Sequence, residues 1–141
     1  MERNAAVFIE FRAPFSMWTF LLILLVFDLF PAGISDVPTV IGYRGRSVEI
    51  RCPYDSGYET YMKYLCRGEC STFGNKDIPV ESGSTAKDQR FSLKDDTAAG
   101  VFTVTITDLR PEDAGQYWCG IKRSLPLTDV YKEIMLLVKN G

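Results

Sequence analysis

The chain has 141 residues, with 16 Lys and Arg against 18 Asp and Glu, no His, and a net charge of −2. So even a balance excludes a nucleic-acid partner, which needs a basic stripe, and the missing imidazoles remove the commonest acid–base catalyst. The first element in chain order is an amino-terminal leader. Residues 18–27 are almost wholly apolar and follow Arg3 and Arg12, while Asp28 and Pro31 end the run well short of the roughly 20 apolar residues of a membrane helix. Gly33 and Ser35 supply the small side chains of a cleavage site, so residues 1–35 read as a signal peptide cut near Ser35. An uncleaved signal anchor is the alternative, and Met17 is a second candidate start. The 106 residues that remain, 36–141, suffice for one domain and are too few for two. Arg3 and Arg12 leave against Glu2, Glu10 and Asp28, so 14 cations then face 15 anions, a net charge of −1. The expected location is the secretory pathway: extracellular if the chain ends at Gly141, the cell surface if it continues into a membrane segment.

Downstream, short apolar runs alternate with period two and no long helical pattern appears, so the domain is expected to be all-β. Residues 47–52 alternate cleanly, with Val48, Ile50 and Cys52 on one face. Strands are then predicted over 61–66, 90–94 and 101–107. In the last, Phe102, Val104 and Ile106 share one face and Thr103, Thr105 and Thr107 the other, as when one side of an antiparallel sheet meets the core. A turn, Leu-Arg-Pro-Glu-Asp-Ala-Gly, starts at Leu109 and leads into predicted strands over 116–121 and 130–138. The sharpest signal sits at its end. Tyr117 stands two residues before Cys119 and Asp113 four before Tyr117, the spacing of the tyrosine corner in an immunoglobulin sandwich, where the hydroxyl ties the corner back to the main chain.

Four cysteines allow three pairings. With Cys52 on the first predicted strand and Cys119 on the fifth, these two form the inter-sheet bridge of such a sandwich, and Cys66 is left with Cys70. The long loop is worth about 4 kcal/mol of chain entropy and the short one about 2, so the first bridge stabilises the domain and the second shapes one edge. A four-cysteine zinc site is the rival arrangement, but its second pair is split across most of the domain and the leader points to an oxidising compartment. One expected residue is missing. Where such domains bury a Trp against the disulfide, 13 residues after Cys52, this chain has Leu65, so compensation by Tyr64 or Tyr117 is expected. Trp118 is expected on the outer face of its strand.

Lys63-Tyr64-Leu65-Cys66-Arg67-Gly68, the nearby Cys70, the segment from Asp88 to Ser92, Val101 to Thr105, and the run from Asp113 to Ile121 together resemble the variable-type domain of the polymeric immunoglobulin receptor and its single-domain leukocyte relatives, the CMRF-like molecules. The resemblance spans nearly all of residues 37–139. It implies an immunoglobulin variable-type β-sandwich, a Greek key of two antiparallel sheets, and a receptor ectodomain. It also implies a salt bridge between Arg90 and Asp113 that fastens the turn.

Catalysis has little to work with, since no serine or cysteine stands beside a plausible base and Asp95 and Asp96 read as a solvated turn. Binding is expected at the loops of one end. The loop 53–60 offers Tyr54 and Tyr58; the loop 122–129 offers Lys122, Arg123, Leu125 and Leu127. The expected ligand is a protein, an immunoglobulin constant region or another cell-surface protein, or the headgroup of an anionic or amino phospholipid, with the leucines inserted and the cations on phosphate. A secreted decoy or a homophilic adhesion domain using the flat sheet face is the alternative. No cofactor is expected apart from a calcium ion near Asp129.

Overall fold

Alternating apolar residues over five to ten positions, with no helical period to compete, commit this sequence to strands that must bury one face. The computed structural model describes residues 36–71 and 74–141, and the predicted signal peptide lies outside the described residues. Eight strands run in chain order: β1 Thr39–Tyr43, β2 Val48–Pro53, β3 Lys63–Arg67, β4 Asp77–Glu81, β5 Phe91–Asp96, β6 Val101–Ile106, β7 Gly115–Ile121 and β8 Val130–Lys139, with a 3-10 turn at Pro111–Asp113. One sheet has the order β1-β8-β7-β3-β4 and the other β2-β6-β5. All pairings are antiparallel except β1 on β8.

The six predicted strands are all present, with ends shifted by a residue or two. Two more were not predicted. β4 contains Pro79, which argues against an interior strand, and β4 is indeed an edge, where a missing donor costs nothing. β1 is the opposite edge.

The core is the space between the sheets, filled by the inward residues of both. Ile50, Leu65, Val104, Ile106, Tyr117 and Leu136 are fully buried there. Cys52 and Cys119 cross it as a disulfide, and Cys66 bonds Cys70, so no free thiol remains among the described residues to hold zinc. Leu65 lies opposite Cys119 in the β3–β7 register. Tyr117 packs into the same core, but Tyr64 does not compensate there, because alternation turns it to the other face. Its ring lies over Gly120, where any Cβ would collide with it. Trp118 is outward as expected, and its Nε1 donates to Gly68 O at 2.8 Å, pinning the segment bridged by Cys66 and Cys70.

Candidate functional site

The corner end of the sandwich is closed by charge and hydrogen bonding. Tyr117 Oη donates to Asp113 O at 2.7 Å. Arg90 meets the Asp113 carboxylate with both terminal nitrogens, at 2.7 and 2.8 Å, and Arg110 N–H donates to the same carboxylate at 2.8 Å. Burial works against the Asp113 charge, but these donors and the nearby guanidinium of Arg67 outweigh it and hold the carboxyl below its usual range. The Asp113 carboxylate is thus taken up by the protein's own donors.

The opposite end carries the loops 54–62, 97–100 and 122–129. It has its own fastening, which the sequence reading did not contain. Lys63, fully buried on β3, places Nζ 2.5 Å from Asp95 Oδ2 on β5, donates to Glu59 O at 3.1 Å and sits 4.5 Å from the centroid of the Tyr54 ring. Tyr54 Oη donates to Asp95 Oδ1 at 2.7 Å. Its pKa is pushed up to about 12 by burial, with the Asp95 hydrogen bond and charge adding to the effect. Asp95 is therefore part of an inter-sheet ion pair, not of a solvated turn: an inward position on β5 meets an inward position on β3, and a buried ammonium requires a counter-ion. Asp96 does cap the turn, accepting from Ala99 N–H at 3.1 Å.

The expected binding residues do not form one patch. Tyr54 and Tyr58 flank a cavity of about 100 Å³ between the sheets, together with Phe102, Ile121 and Val130. Lys122 and Arg123 border a separate groove of about 350 Å³ with Thr60, Tyr61, Met62 and Ser124. Tyr54 is committed to Asp95 and Tyr58 packs edge-on against Tyr61 at 5.3 Å, which leaves neither hydroxyphenyl as a free-standing contact. Tyr61 and Met62 were hidden from the sequence reading because they extend the alternation of β3. Tyr61 N–H instead bonds Tyr58 O at 3.1 Å, turning the chain and leaving both side chains exposed.

Across the groove, Arg123 Nε donates to Thr128 O at 2.7 Å and Leu127 N–H to Ser124 O at 3.0 Å, so the loop 122–129 folds on itself. That internal bonding presents Leu125, joined to Pro126 by a cis bond, and Leu127 to solvent; they are 72% and 51% exposed. Neither packs on the sheet. Lys122, at the start of the same loop, is exposed as well.

Asp129 is buried at the root of this loop. Its carboxylate accepts from Tyr64 Oη at 2.5 Å and from Arg123 N–H at 3.2 Å, and Lys76 Nζ lies 3.4 Å away. Burial opposes its charge, yet the Tyr64 hydrogen bond, the Arg123 amide and the Lys76 ammonium lower its pKa; burial also raises that of Tyr64, whose hydroxyl further contacts Tyr131 Oη at 3.0 Å. Among the described residues no group of three or more His, Cys, Asp or Glu could hold a metal ion. At Asp129, where a calcium ion was expected, the Lys76 ammonium supplies a positive charge on the Oδ2 side.

The immunoglobulin V-set domain family matches residues 36–138. The chain is 33% identical over 129 residues to human CMRF35-like molecule 5, covering 89% of this chain and 66% of that protein. Against solved structures, it is 32% identical to the NK cell receptor Nkp44, a triggering partner in natural cytotoxicity, with a TM-score of 0.61 over 74% of this chain and 100% of that one. The second immunoglobulin domain of the mouse polymeric immunoglobulin receptor is 25% identical, with a TM-score of 0.61 over 75% of this chain and 99% of that one. The chain spans between about a third and two thirds of the length of the curated relatives it matches first.

Proposed function

We propose a function from one premise: the chain belongs to the immunoglobulin V-set family and is homologous to the CMRF35-like molecules. It is the ligand-binding ectodomain of an immune cell-surface receptor, carried there through the secretory pathway, and it engages membrane phospholipid through the loop 122–129. The observation that carries this reading is the exposure of Leu125 and Leu127 in the same loop as the exposed Lys122. Two aliphatic side chains can enter the acyl boundary while a cation meets phosphate, each contributing about 1 kcal/mol or more. Arg123 positions the loop instead of reaching out, and Asp129 anchors it without calcium. Flotation with phosphatidylserine vesicles, against phosphatidylcholine vesicles and with or without a calcium chelator, tests the reading. Binding to phosphatidylserine that survives the chelator and is lost in Leu125→Asp and Lys122→Glu supports it; flotation that both variants leave unchanged overturns it.

A protein ligand is the second reading, favoured by the groove that Tyr61 and Met62 share with Lys122. Aromatic and Met side chains beside a cation suit a protein interface. Its test is capture of purified immunoglobulin by the parent chain and by Tyr61→Ala.

A further inference from the structure

Among the described residues, the upper half of β8 has a neighbour on one side only. β1 pairs with β8 from Met135 to Lys139, whereas β7 pairs with it from Val130 to Leu136, so among the described residues 130–134 have a partner on the β7 side alone. Met135 N–H donates to Pro38 O on the β1 side at 2.9 Å. Main-chain groups alternate sides along a strand, so Tyr131 and Glu133 turn their N–H and C=O groups toward the same open edge. The cavity bordered by Tyr54, Tyr58, Phe102, Ile121 and Val130 opens beside it, with a volume of about 100 Å³ and an apolar interior. Lys132, exposed and with inward alternation, lies at the mouth.

We infer that this edge is a second binding surface, which takes an extended peptide from a partner protein by strand addition, one aliphatic side chain of the peptide filling the cavity. A row of main-chain donors and acceptors is matched by another strand and by no helix. In a peptide laid along residues 130–134, side chains alternate too, and those sharing the inward direction of Val130 and Lys132 face the cavity. The volume is smaller than the roughly 150 Å³ pocket that holds a benzene ring, which selects an aliphatic residue over an aromatic one. A second copy of this chain paired through the same edge does not fit, because its inward residues there, Val130 and Ile134, already belong to its own core and Lys132 is charged. Lys132 and Asp55 both border the cavity, so a single carboxylate flanking the aliphatic residue pairs with the Lys132 ammonium and must keep clear of Asp55.

The test uses the full chain, labelled for amide NMR, titrated with acetylated octapeptides of Thr and Ser carrying one Glu and, at a central position, Ile, Gly or Asp. The Ile peptide is expected to shift the amides of Tyr131 and Glu133 and to bind at least tenfold more tightly than the Gly or Asp peptide. N-methylation of alternate peptide amides is expected to abolish binding. Glu133→Pro removes one outward donor, with the Gln116 Nε2 to Glu133 side-chain bond also lost, and is expected to weaken the Ile peptide tenfold or more; Val130→Phe fills the cavity and is expected to erase the preference for Ile over Gly. The inference is overturned if none of the peptides binds, if Ile gives no advantage over Gly, or if the N-methylated Ile peptide binds as well as the unmodified one.

Discussion

Both ends of this sandwich are fastened by a basic side chain of one segment meeting a carboxylate of another, yet they leave very different surfaces. At the corner end, the Tyr117 hydroxyl and the Arg110 amide bond Asp113, which Arg90 pairs, and Tyr43 at the end of β1 leaves one large ring 45% exposed beside the turn. At the loop end, Lys63 and Asp95 fasten the sheets from inside, and the loops above carry Tyr61, Met62, Leu125 and Leu127 in solvent. The contrast teaches that the loop end owes its integrity to a buried pair below it, which frees the loop surface from a structural task.

The largest expected effect breaks the loop-end fastening. Asp95→Ala leaves the Lys63 ammonium buried without its counter-ion, and urea denaturation is expected to show a loss of about 3–5 kcal/mol. The matching change at the corner, Asp113→Ala, is expected to cost about 2–3 kcal/mol, because Arg90 keeps Asp88 and carbonyls of the turn as partners. If the two losses are equal, the remaining partners of Arg90 do not soften the loss of its carboxylate.

A pH titration sharpens the corner further. The folded Asp113 carboxyl lies below the ordinary Asp value of about 3.9, so its contribution to stability is present above that pH and is lost as pH falls through the lower, folded value. Chemical denaturation between pH 6 and pH 2 is expected to show a shallower acid decline for Asp113→Asn than for the parent. Tyr117→Phe removes one hydrogen bond and is expected to cost about 1–2 kcal/mol at any pH where the parent is folded. Leu125→Asp gives the smallest change in stability, within about 0.5 kcal/mol, while the vesicle flotation of the parent is lost. A large fall in melting temperature for this variant would place Leu125 in a structural role and merge the two ends.

Much of the fold was legible because its signals are local. The period-two alternation of residues 47–52 and 101–107 and the Asp113, Tyr117, Cys119 spacing each follow from one stretch of chain. β1 and β4 were missed because an edge strand need not alternate strongly and β4 contains Pro79. The candidate binding residues were partly legible: the exposure of Leu125 and Leu127 agrees with their place in a loop, whereas Tyr54 and Tyr58, expected to share a protein-binding surface with Lys122 and Arg123, line a cavity between the sheets apart from the groove that those cations border. Tyr61 and Met62 carried no sign of leaving the strand.

The sequence by itself determined six of the eight strands, the tyrosine corner and which of their faces turn inward, since alternation and turn chemistry act between near neighbours. Tertiary structure alone decided that Lys63 meets Asp95, that Lys76 and Tyr64 occupy the carboxylate of Asp129, and that, among the described residues, 130–134 of β8 pair on the β7 side alone. The physical reason is that these outcomes depend on which strands become neighbours and in what register, a property of contacts between residues far apart in the chain.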